Sequence, residues 1–152
     1  MRNMMATRKA LTFFTVVMLL SMSATIVSAD VDINLSANPS SAEATADEAA
    51  EYTIIVQNSG DDDAAVSLST QQGDDCNGFS STLETTFVQV SSSSSESVTL
   101  TVTVTEQASG ECETTVNAQG QVSGGAPGTP SNADVTVVTL SLIHISEPTR
   151  LR

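Results

Sequence analysis

From Ser97 to Thr105 the chain alternates without a break between hydroxyl and aliphatic side chains. Val98, Leu100, Val102 and Val104 fall on one side of an extended backbone, and Ser97, Thr99, Thr101, Thr103 and Thr105 on the other. A repeat of two is that of a β-strand with one dry and one wet face. On a helix these aliphatic groups would scatter around the circumference. A chain with such a segment must supply other strands to cover the dry face.

The neighbouring sequence supplies them. Val31, Ile33 and Leu35 alternate in a first strand that ends near Pro39. Tyr52, Ile54 and Val56 alternate in a second, which stops at the turn-forming Asn58-Ser59-Gly60-Asp61. Ala65 to Thr70 alternates through Val66 and Leu68, and Phe87 to Val90 is a short strand with Leu83 just upstream. Cys112, Thr114, Val116 and Ala118 mark another, and Val135, Val137 and Thr139 the last. With the central segment this makes about seven strands separated by Gly, Asn, Asp and Ser clusters, which predicts an all-β, antiparallel sandwich. Ala44 to Ala50 is too short and lacks an apolar face for a helix, and reads as a loop. Ser91 to Ser95 reads as a turn, and Ser123 to Asn132 as a long loop rich in Gly and Pro.

The first 29 residues are of a different kind. Arg2, Arg8 and Lys9 precede an apolar run from Ala10 to Val27, and Val27-Ser28-Ala29 offers small residues before Asp30. This is the layout of a secretory signal helix cleaved after Ala29. The alternative is an uncleaved N-terminal membrane anchor, since the run is nearly long enough to span a bilayer. Ser21, Ser23, Thr25 and Ser28 dilute its second half and favour cleavage.

At the other end, Leu140 to Arg150 reads L-S-L-I-H-I-S-E-P-T-R. This resembles the translation of a transposase-type sequencing adapter. The resemblance implies that residues 140–152 are a non-native tail, with Leu140 ambiguous, and that the chain is a piece of something longer. It also removes His144, the chain's one histidine, from consideration as a base or ligand.

Between these ends lies the expected exported domain, residues 30–139. It holds 17 of the 18 acidic residues and no Lys or Arg, a formal charge of −17. Such a field repels phosphate backbones and anionic lipid heads, which argues against nucleic-acid and membrane partners. Salt would relieve the self-repulsion, because the Debye length falls to about 3 Å at 1 M. Adaptation to high salt and ordinary secreted acidity both fit. The core must be thin, with Tyr52, Phe79 and Phe87 the only aromatics and no Trp.

Cys76 and Cys112 are an even count in an oxidising compartment, which predicts one disulfide. It would pin the loop-like Gly73-Asp74-Asp75-Cys76-Asn77-Gly78 to the start of a strand.

Tyr52-Thr53-Ile54-Ile55-Val56-Gln57-Asn58-Ser59-Gly60 resembles the Y-x-I/V-x-V-x-N-x-G stretch of immunoglobulin-like repeats in prokaryotic surface proteins, of the CARDB-like and conserved-repeat types. Ser97 to Thr105, Gly110 and the strand from Cys112 resemble the second half of such repeats, where this chain has Ser91 to Ser95 in place of a frequent Pro-Gly. The resemblance implies an immunoglobulin-like sandwich serving as spacer, stalk or contact module, without catalysis or cofactor. The implied partner is a protein or a carbohydrate at the cell surface.

The polar motifs add less. Asp61, Asp62 and Asp63, with Asp74 and Asp75, are loop carboxylates that could meet Ca²⁺, but lack the spacing of an EF-hand loop. Asn34-Leu35-Ser36 is a glycosylation sequon at Asn34, while Pro39 blocks the one at Asn38. There is no G-x-S-x-G elbow, no His pair and no Gly-rich phosphate loop. The expectation is a non-catalytic structural or adhesion module of an exported or cell-surface protein. The alternative is an accessory binding domain of a secreted enzyme whose catalytic part lies beyond residue 139.

Overall fold

The computed structural model describes residues 30–125 and 128–142. The signal segment, its cleavage position at Ala29, and His144 with the rest of the tail beyond Leu142 lie outside the described residues.

Among the described residues nine strands follow in chain order: β1 Ile33–Asn38, β2 Ser41–Ala44, β3 Ala50–Asn58, β4 Ala64–Gln72, β5 Phe79–Leu83, β6 Phe87–Val90, β7 Ser94–Val104, β8 Gly110–Val122 and β9 Ser131–Ser141. They form a four-stranded sheet, β1-β3-β7-β5, and a five-stranded sheet, β2-β9-β8-β4-β6. Nine strands and seven expected passes agree once the two edge passes are traced. The first runs along β3 as β1, breaks at the cis Asn38-Pro39 bond, and continues along β9 as β2. Proline has no N–H to donate, so the first ladder cannot run through it. The other is β5 along β7, then Glu84 to Thr86, then β6 along β4. Each edge pass therefore serves both sheets. With the passes lettered A (β1 and β2), B (β3), C (β4), D (β5 and β6), E (β7), F (β8) and G (β9), the order is A-B-E-D facing A-G-F-C-D, the immunoglobulin-like plan.

Some expectations need correction. The stretch before Ala44 holds a short strand, β2, and it pairs with β9 in parallel because a pass that continues forward keeps its direction. Phe79 to Leu83 is a strand of its own, where the sequence pointed only to Leu83. The serine-rich turn is confined to Ser91–Ser93, with Ser93 left-handed at φ 52°, and β7 already starts at Ser94. Ser123–Gly125 form a tight turn with Gly124 and Gly125 in the left-handed region, at φ 82° and 75°. The last strand does not stop at Thr139. Leu140 and Ser141 pair with both β8 and β2, and the Leu142 N–H donates to the Ala44 carbonyl at 3.0 Å. Ladder bonds are made by backbone, so a strand can run on whatever side chains follow.

The core is built by the predicted faces. Tyr52, Ile54 and Val56 of β3 and Val98, Leu100 and Val102 of β7 are almost fully buried against Val66, Val90, Val116 and Val137. At Gly120 the two sheets come too close for a side chain: a Cβ there would lie 2.4 Å from Ile33 Cγ1. Tyr52 links the sheets through its tip. Its hydroxyl donates to the Val138 carbonyl at 2.9 Å and lies 2.7 Å from Thr139 Oγ1, itself fully buried. Tyr52→Phe keeps the ring but leaves Thr139 without this partner, so a loss of about 1–2 kcal/mol is expected by urea denaturation. Adding Thr139→Val should recover the part of that loss that belongs to the Thr139 hydroxyl, while the Val138 carbonyl still lacks the tyrosine's bond. Equal losses in the single and double variants would count against the bond.

Candidate functional site

The Asn58-Ser59-Gly60 stretch organises one end of the sandwich. Asn58 is fully buried at the end of β3. Its Nδ2 donates to the Asp62 carbonyl at 2.7 Å and lies 3.3 and 3.4 Å from the Val90 and Ser91 carbonyls. Its Oδ1 accepts from the Gly60 N–H at 3.0 Å. Gly60 packs against the incoming chain so tightly that a Cβ would lie 2.4 Å from the Asp30 carbonyl oxygen. Both residues of this motif are therefore used for structure.

The acidic loops are not brought together. Asp61–Asp63 precede β4 and Asp74–Asp75 follow it, so a nine-residue strand of about 27 Å separates them. Asp62 Oδ2 accepts from the Asp30 N–H at 3.0 Å, and Asp63 Oδ1 from the Ser92 N–H at 2.9 Å. Two of these carboxylates thus fasten backbone. Among the described residues no group of three or more His, Cys, Asp or Glu side chains is placed to hold a metal ion. Asn34 lies on the exposed side of edge strand β1, where its side chain is accessible.

At the opposite end, Cys76 and Cys112 form a disulfide. Cys112 is buried in β8, and Cys76 lies in the loop that crosses from β4 in one sheet to β5 in the other. The Gly73 N–H, donating to the Glu113 carbonyl at 3.0 Å, holds the same loop. As expected, the bridge joins a loop to the start of a strand.

The charge remains one-sided, since residues 30–142 contain no Lys, Arg or His. Most of the carboxylates are exposed, so salt should screen their repulsion. The melting temperature is expected to rise steadily from about 0.05 M to 1 M NaCl. A flat profile in scanning calorimetry would show that self-repulsion does not strain this fold.

The two outer faces differ. That of the four-stranded sheet is hydroxyl along β7 and β5, with Ser97, Thr99, Thr101, Thr103, Ser80 and Thr82, and along β3 and β1 it also carries Glu51, Thr53, Gln57, Asn34 and Asn38. That of the five-stranded sheet carries carboxamides. Register places Phe87, Ser67, Gln119 and Asn132 on one rung across β6, β4, β8 and β9. Ser69, Asn117 and Asp134 form the next rung. Directly opposed residues share a face. Around these two rungs the sheet forms an open dish of about 490 Å³, lined by Ser67, Ser69, Asn117, Gln119, Asn132 and Asp134. Phe87, 51% exposed, stands at the end of the first rung. One rung further along, Thr115 and Thr136 bond to each other at 3.0 Å. The dish offers amide donors and acceptors, hydroxyls and one carboxylate, and Phe87 stands outside its lining, one strand beyond Ser67. The alternation of β8 already put Asn117 and Gln119 on its wet side. Their partners on β9 and β6 required the register.

No protein-family model matches the chain, and no curated protein sequence matches it. Solved structures do. A PapD-like domain of human CEP192 superposes with a TM-score of 0.54 at 14% identity, over 71% of this chain and 84% of that one. Native alpha-2-macroglobulin from Escherichia coli, from domain MG7 to the C-terminus, gives 0.53 at 13% identity, over 76% of this chain and 17% of that one. The Salmonella enterica SafA pilin in complex with the SafB chaperone gives 0.50 at 14% identity, over 75% of this chain and 57% of that one. At such identities the likeness is one of fold, and the fold is an immunoglobulin-like, PapD-like β-sandwich.

Proposed function

We propose that the chain is a non-catalytic structural or adhesion module of an exported or surface-attached protein, released from its signal segment after Ala29. The disulfide carries this reading. A bridge between Cys76 and Cys112 belongs to an oxidising compartment, and with it a thin-cored sandwich can hold outside the cell. Two further observations support it. The residues that stand out in the sequence, Tyr52, Asn58 and Gly60, are engaged in holding strands and loops together. The acidic surface keeps the domain soluble and away from anionic polymers. The pairing of each edge pass with both sheets suits a stiff spacer, because neither sheet can slide without breaking a ladder.

The test is to express the full chain in a bacterial host with its own leader and to measure the intact mass of the product outside the cytoplasm. The expected species begins at Asp30 and shows the mass deficit of one disulfide. Retention in the cytoplasm with both thiols reduced would overturn the proposal. An exported product that keeps residues 1–29 would replace the secreted form by the membrane-anchored one.

A further inference from the structure

We propose that the dish on the five-stranded sheet is a binding site for a neutral oligosaccharide, with Phe87 as its stacking platform. The inference rests on the surface-module reading and names the partner. The four-stranded sheet also sets carboxamides side by side, Asn34 opposite Gln57, at its β1 edge. On the five-stranded sheet they stand on the inner strands β8 and β9 and line the dish. Gln119 and Asn132 stand side by side on one rung, and Asn117 beside Asp134 on the next. Strand spacing and pleat set these rungs about 7 Å apart along the strands, across roughly 10 Å from β4 to β9. That is the footprint of a disaccharide.

The chemistry matches that footprint. Neighbouring sugar hydroxyls each donate and accept, and a planar carboxamide does both, while a carboxylate accepts from two hydroxyls at once. Ser67 and Ser69 add small hydroxyls that leave room above the sheet. The C–H face of a sugar ring packs on an aromatic face, and Phe87 stands one strand, about 5 Å, beyond Ser67 in the same rung. A single exposed aromatic would need no explanation. This one ends a row of three polar side chains that border an open dish. Anionic and apolar ligands fit less well. With no cationic side chain among residues 30–142 and Asp134 in the dish, phosphates, sulfates and uronates are repelled. An apolar peptide would find Phe87 as the one large apolar side chain on these rungs.

The experiment is isothermal titration of the exported protein with neutral hexasaccharides of glucose, mannose and galactose, beside a hexa-uronate. One neutral series is expected to bind with an affinity that does not change between low and molar salt, and the uronate is expected not to bind. Phe87→Ala, Asn117→Ala and Asn132→Ala should each weaken binding about tenfold. Their melting temperatures should stay near that of the parent, since all three side chains lie on the outer face. Thr53→Ala and Thr101→Ala on the opposite face should leave binding unchanged. Failure of every neutral probe at millimolar concentration would overturn the proposal, as would binding that survives all three dish variants. A protein exported with its disulfide but blind to all neutral probes overturns this inference alone. A protein that binds sugar yet stays in the cytoplasm overturns the surface-module reading alone.

Discussion

Replacing Asn58 with alanine is expected to destabilise the domain by about 3–5 kcal/mol, the largest loss anticipated from a single side chain here. The carboxamide is fully buried, and it satisfies the Asp62 carbonyl and the Gly60 N–H directly. Its second N–H is shared between the Val90 and Ser91 carbonyls. Alanine leaves these backbone groups without that partner, and each buried polar group stripped of its bond costs roughly 1–3 kcal/mol. The loss should also spread. Three segments meet at Asn58: the loop into β4, the end of β6 with its turn, and the lead into β1, where the Ser59 N–H donates to the Asp32 carbonyl at 2.7 Å. Asn58→Asp, though isosteric, should be worse than alanine, because it places a buried carboxylate against three carbonyl oxygens. Guanidinium denaturation of both variants checks this. An aspartate variant more stable than the alanine one would overturn the account.

Removing the disulfide as Cys76→Ala with Cys112→Ala is expected to lower stability by about 3–4 kcal/mol, from the entropy of closing a 36-residue loop. For a domain of this size the melting temperature should fall by roughly 12 °C or more. The site adds a salt dependence. The bridge holds Asp74 and Asp75, next to Cys76, close to Glu111 and Glu113, which flank Cys112. Like charges held near one another push the loop away once the bond is gone. The loop then keeps the Gly73–Glu113 hydrogen bond, and β5 beyond it pairs only with β7. The difference between bridged and unbridged forms should therefore shrink from low salt to 1 M NaCl. Calorimetry of both forms across that series is the measurement. A difference independent of salt would show that the carboxylates do not act on this loop.

The fold was largely legible, and the dish was half legible, for reasons that individual residues make clear. Strand faces are written locally, so Val98 to Val104 and Tyr52 to Val56 point inward as their alternation requires. The breaks in the two edge passes were not legible as changes of sheet. Pro39 shows where a ladder must stop, but no local signal says which sheet the chain then joins. β5 escaped notice because Phe79 to Leu83 is short and mostly hydroxyl, a strand by virtue of its partner β7. Asn58 looked like a turn former. Its burial depends on the β6–β7 turn closing over it.

The sequence by itself determined the period-two faces, the count of seven passes, the cysteine pair and the absence of any cation between the ends. These are properties of near neighbours or of composition. Only the tertiary structure decided that Phe87 shares a rung with Asn132 and that Tyr52 reaches Thr139. Those meetings depend on strand register between distant segments. Register is set by how two whole faces pack, and a shift of one residue would have turned each of those side chains to the other side.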